Sequence, residues 1–164
     1  MLVNLVRFVL TASLVCAHTN DMTTIATASA TSTAPAAQFF ALWADMDTWP
    51  EWNTDTEWVR LDGPFVQGAT GTLKPKGGPK VKFTVEKLTA TDFVDVSTLW
   101  GARLTFDHHI VETSSGTEVS VAVRMSGPLS KVWTMVMGGG LRKSAQADLD
   151  ALVRAAEAKV AAQR

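Results

Sequence analysis

From Thr56 to Met125 the chain falls into six short runs in which apolar and polar residues alternate; after Gly127-Pro128 the period becomes helical and stays so to the C-terminus. A period of two sends successive side chains to opposite faces of a strand, whereas apolar residues three and four apart share one side of a helix. The runs are EWVRL, ATGTLKP, KVKFTVEKL, FVDVSTL, RLTFDHHIV and TEVSVAVRM. Gly63-Pro64, Gly77-Gly78-Pro79 and Ser114-Ser115-Gly116 separate several of them, and the linkers Gly77-Gly78 and Ser114-Ser115-Gly116 are short enough for hairpins, hence an antiparallel meander. One face of that sheet collects Val81, Phe83 and Val85, then Leu104, Phe106 and Ile110, then Val119, Val121, Val123 and Met125. The other face carries Lys80, Lys82, Glu86, Arg103, Asp107, Glu118 and Arg124, so the sheet is wet outside and apolar inside.

The apolar face needs a cover, and the C-terminal stripe supplies one. Leu129, Val132, Trp133, Val136, Met137, Leu141, Ala145, Leu149, Leu152 and Ala156 recur at helical spacing. Gly138-Gly139-Gly140 falls inside it; glycine costs about 0.8 to 1 kcal/mol relative to Ala in a helix interior, so a kink or loosened turn is expected there. Upstream, Thr23 to Thr33 is rich in β-branched residues and reads as an edge strand. Pro35 opens a short helix that puts Phe39, Leu42 and Trp43 on one side, and Trp49 and Trp52 share a side of the turn that follows. The predicted fold class is α+β: about seven antiparallel strands curved around one long C-terminal helix, with two short helices after the first strand.

A chain of 164 residues, 46% hydrophobic and 19% charged, suits one domain, expected over residues 22–164. A net charge of -1 gives no electrostatic case for nucleic acid or an anionic membrane surface. Cys16, the single cysteine, precedes the domain, so neither a disulfide nor a thiolate metal site is expected within it, and no cofactor is implied. Residues 1–21 hold one basic residue, Arg7, and an apolar stretch from Phe8 to Ala17 too short for a stable membrane span. They read either as a secretory signal, which implies export, or as a start assigned too early, with Met22 as the initiator of a cytoplasmic protein.

Trp49-Pro50-x-Trp52-Asn53, Gly63-Pro64 with Gly68 and Gly71, Leu104-x-Phe106-x-His108, Gly116-Thr117 and Gly127-Pro128-Leu129 occur in this order over nearly all of residues 22–158. In that order and spacing the chain resembles the START-like helix-grip (SRPBCC) superfamily, in its polyketide cyclase/dehydrase-like branch. The resemblance implies a tunnel between helix and sheet for lipids, sterols, polyketides or other aromatic ligands. It implies no single reaction, because one fold hosts transporters, cyclases, dehydratases and interaction modules.

The partner expected from this reading is a hydrophobic small molecule. Trp43, Trp52, Phe65, Phe83, Phe106 and Trp133 are the candidate ligand-binding aromatics, with Met137 and His108 beside them. His108 alternates with Leu104, Phe106 and Ile110 and is the one ionisable group placed on the apolar face, while His109 points outward. A neutral imidazole there takes a proton from an enolisable ligand, or else serves as a hydrogen-bonded core residue. Asp45, Asp47, Glu51, Asp55 and Glu57 gather at polar turns and read as a solvated rim. Three functions follow: carriage or sensing of an apolar or aromatic metabolite; cyclase or dehydratase activity with His108 as general base; and a protein-interaction module. An acid or hydroxyl beside His108 would favour the enzyme, a closed apolar cavity the carrier, and a filled interior with an apolar surface patch the interaction module.

Overall fold

The computed structural model describes residues 22–163. The two readings of residues 1–21 lie outside those residues. The chain forms β1 (Thr23–Ser32), α1 (Ala36–Ala44), a single 3₁₀ turn at Met46–Thr48, α2 (Trp49–Trp52), six further strands and one long helix. The strands are β2 (Thr56–Leu61), β3 (Thr70–Pro75), β4 (Val81–Leu88), β5 (Asp92–Leu99), β6 (Ala102–Thr113) and β7 (Gly116–Ser126); the helix is α3 (Ser130–Ala162). This is the helix-grip fold.

The strands make one sheet in the order β1-β7-β6-β5-β4-β3-β2, with every neighbouring pair antiparallel. Register shifts interrupt the pairing at Thr24/Ala26, Thr56/Trp58 and Val85/Lys87. Such bulges bend a strand and raise its twist, which helps the sheet curl around α3. The hairpin face assignment follows the alternation: Val85, Leu104, Ile110, Val119, Val123 and Met125 are buried, and Arg103 and Arg124 pair outside with Glu86 and Asp107. Gly71 is required by close approach, since a Cβ there would lie 2.4 Å from Phe83 Cζ and 2.6 Å from the Arg60 carbonyl oxygen.

α3 spans 33 residues, about 50 Å at 1.5 Å per residue. Its C-terminal half buries Leu149, Leu152, Val153 and Ala156. Glu157 ties it to the corner after β1 by accepting from Ser32 Oγ at 3.0 Å and from the Thr33 amide at 2.9 Å. Two expectations are corrected here. The helix runs unbroken through Gly138-Gly139-Gly140, with Gly138 buried where α3 packs on β1. Tertiary packing outweighs the propensity cost of the glycines. Val132 and Val136 do not join the packed stripe and are 53% and 72% exposed. They stand one position ahead of Trp133 and Met137 in each turn, and that step turns them about 100° away from the sheet.

Candidate functional site

Between α3 and the concave face of the sheet lies a cavity of about 190 Å³. Leu104 and Phe106 of β6 with Val121 and Val123 of β7 form its floor, while Met137, Leu141, Leu149 and Leu152 of α3 form its roof. Trp49 and Trp52 border one end. Asn53, Asp55, Ser144 and Asp148 bring polar groups to the same lining. An engineered apolar cavity of about 150 Å³ admits benzene, so this one has room for a ring with substituents rather than a long acyl chain.

His108 stands in the lining, as the alternation along β6 requires. Its Nδ1 donates to the Phe93 carbonyl oxygen at 3.1 Å, because a carbonyl can only accept; the neutral ring then keeps Nε2 as its acceptor. Burial holds the imidazole down at about 4, against the opposing effect of the Phe93 hydrogen bond and the Asp107 charge. It is therefore a neutral base at physiological pH. Phe93 stacks on the ring at 5.1 Å and Trp43 tilts against it at 5.1 Å, which fixes its orientation.

The sequence reading missed Asp95. It is 7% exposed, lines the same cavity, and lies opposite Phe106 in the β5–β6 pairing, two pairs along from Phe93 opposite His108 and so on the same face. Same-face diagonal neighbours of this kind sit about 7–8 Å apart, so the two groups reach different atoms of one small ligand. Burial pushes the Asp95 carboxyl up to about 7, opposed by a hydrogen bond from its own backbone amide. His108 is thus not the one ionisable group of the interior. Ser97, two residues on, adds a buried hydroxyl to the lining. The missed signal was in the turn: a two-residue hairpin at Trp100-Gly101 sets Leu99 against Ala102 and therefore Asp95 against Phe106.

The structure brings Trp52, Phe106, His108 and Met137 of the expected set together around the cavity. It places the other four elsewhere. Trp43 is wholly buried behind His108, in contact with Phe93 at 5.4 Å. Phe65 packs edge-on against Phe93 at 5.2 Å, and Phe83 is 3% exposed with its ring under Gly71. Trp133 donates its indole N–H to the Trp100 carbonyl oxygen at 2.9 Å, pinning the β5–β6 turn to α3. These aromatics pack on the core beside the cavity, with the Phe83 ring filling the space left by Gly71. The Trp52 indole N–H is buried without a hydrogen-bond partner, as is that of Trp43.

The remaining carboxylates also sort by place. Asp55 joins the cavity lining. Asp148, on α3, accepts from the Thr54 amide and hydroxyl at 3.4 and 3.3 Å, and burial raises its pKa. His109 points outward and bonds Asp92 at 3.0 Å, and hydrogen bonds from Thr91 and His109 lower the Asp92 pKa. Among the described residues no three His, Cys, Asp or Glu gather to hold a metal, and no helix is long and apolar enough to cross a membrane.

A family model described as polyketide cyclase / dehydrase and lipid transport matches residues 23–157. The chain belongs to this family. Its members carry hydrophobic ligands or cyclise and dehydrate polyketides, within the START-like helix-grip superfamily. No curated protein sequence matches the chain. Among solved structures it is similar to the hypothetical protein jhp0584 of Helicobacter pylori, with TM-score 0.65, 12% identity, and coverage of 95% of this chain and 98% of that one. It is similar also to the Zhui aromatase/cyclase of Streptomyces, with TM-score 0.64, 15% identity, and coverage of 85% and 96%. A third is Ara h 8.0201, with TM-score 0.61, 14% identity, and coverage of 84% and 99%. At these identities the likeness concerns the fold.

Proposed function

We propose that this protein binds an apolar, ring-bearing small molecule in the cavity between α3 and the sheet. The observation that carries the reading is the cavity itself: about 190 Å³ of mostly apolar space that keeps a few polar groups in its lining. Such a site holds a ligand by burial and orients it by a few hydrogen bonds. Trp52 N–H is a donor without a partner, His108 Nε2 an acceptor, and Asp95 either one according to its protonation. Native mass spectrometry of the purified chain tests this. A co-purifying small molecule, or saturable uptake of a one- or two-ring compound, supports it; a chain that takes up none contradicts it.

Asp95 favours a second reading, in which the ligand is also chemically changed. Below about pH 7 the carboxyl keeps its proton while His108, at about 4, remains a free base. A base and an acid at diagonal positions on one face of the sheet suit removal of a proton beside a carbonyl together with protonation of a departing hydroxyl. The bound C–H proton goes to Nε2, its electron pair forms the new double bond, and the hydroxyl leaves as water with the Asp95 proton. Exchange of the α-protons of β-tetralone in heavy water, followed by NMR, isolates the first step. The protein should speed exchange and His108→Gln should abolish the effect; equal exchange with both proteins would remove this reading.

A further inference from the structure

We infer that the cavity is built for a ring-bearing ligand that carries a protonated amine, with Asp95 as the counter-charge. The inference rests on the cavity being the binding site. Three carboxylates, Asp55, Asp95 and Asp148, stand in its lining, and no Lys or Arg does. The neighbouring cations are occupied outside: Lys74 with Glu57, Arg103 with Glu86, and Arg124 with Asp107. No protein cation therefore neutralises Asp95 among the described residues.

Asp95 is also short of hydrogen bonds. Among the described residues no other residue donates a hydrogen bond to its carboxyl, although the residue is 93% buried. A buried carboxylate either keeps its proton or acquires a cationic partner, because an isolated charge in apolar surroundings is costly. A ligand ammonium supplies that partner and donates up to three hydrogen bonds. Trp49, Trp52 and Phe106 border the same space and offer aromatic surface to the ring or the cation. An anionic ligand meets three like charges and finds no basic group.

The titratable groups facing Asp95 across the cavity are His108 from β6, Asp148 from α3 and Asp55 from the segment after α2; β3, β4 and β7 bring none to the lining. Below about pH 7 Asp95 protonates while His108 stays neutral, so the preference for a cation fades toward acid. An alkylammonium, like a lysine near 10, keeps its charge throughout.

Isothermal titration with phenethylamine, phenethyl alcohol and phenylacetate compares cation, neutral isostere and anion in one shape. Near pH 8 the amine should bind the full chain about tenfold more tightly than the alcohol, with phenylacetate weakest. The amine-to-alcohol ratio should fall toward one near pH 5, and in Asp95→Asn it should be near one at either pH. Asp148→Asn, at a more solvated carboxylate, should change the ratio by less than about threefold. The pH series on the parent protein stands even if Asp95→Asn fails to fold. Binding of the alcohol without an advantage for the amine, or an advantage that survives Asp95→Asn, overturns the inference and leaves the cavity reading intact. Binding of none of the three overturns both.

Discussion

Replacing Asp95 by Asn should leave the protein about as stable as its parent near pH 4 and about 4 kcal/mol more stable near pH 8. The folded parent holds a carboxyl at about 7 that titrates at 3.8 in an open chain. That interval is roughly three pH units, each worth about 1.4 kcal/mol. The folded state binds the extra proton, so stability falls as pH rises between those two values and is level above them. His108 works in the opposite sense: its pKa drops from 6.5 to about 4 on folding, so stability falls as pH drops across that range. In the parent the two slopes cancel between about pH 4 and 6.5. Asp95→Asn unmasks the His108 slope, and the variant should lose stability toward acid. His108→Gln unmasks the other, and stability should then decline toward about pH 7. Urea unfolding followed by tryptophan fluorescence, at pH steps from about 4 to 8, reads all three proteins over the relevant interval. In thermal melts the full gap corresponds to on the order of 10 °C for a domain of this size. A constant difference between Asp95→Asn and the parent across the series would refute the argument.

Two other perturbations separate helix from cavity. Gly139→Ala and Gly140→Ala should each raise stability by about 0.8 to 1 kcal/mol in urea titrations, since a Cβ at either position meets nothing within 4 Å inside a continuous helix. A loss of stability would mean that the helix opens at these glycines. Ala145→Phe directs a ring from α3 into the cavity; it should keep the circular dichroism spectrum and abolish uptake of ring compounds by native mass spectrometry, whereas undiminished uptake would place the ligand elsewhere.

The sheet and its long helix were legible because β6, β7 and α3 each repeat one period over more than ten residues with little contradiction. β5 was not, because its apolar residues fall on both faces: Phe93 and Leu99 on one, Val94 and Val96 on the other. Hydrophobic pattern alone cannot choose between those rows, and pairing with β6 decides. That choice turns Asp95 inward, so the residue with the largest consequence for the site lay in the strand with the most ambiguous pattern. His108 sits in an unambiguous strand, and its inward face was legible for the same reason. Trp43, Phe65 and Phe83 lie outside the cavity lining for a different cause. Facing the interior is a property of one strand or helix, whereas lining a void depends on what fills the opposite side, and Gly71 and Phe93 determine that from distant parts of the chain. At Gly138 a helix-breaking residue was read by its propensity, while the packing of α3 on β1 keeps the helix continuous there.

The cavity between α3 and the sheet is the centre of the account, and its methionines report on it directly. Met137 lines the cavity, whereas Met135 on the same helix is 83% exposed. With methyl-¹³C methionine, titration with phenethyl alcohol or phenethylamine should shift the Met137 resonance saturably and leave Met135 in place. Shifts at Met135 with Met137 unchanged would put binding on the outer surface and contradict the account.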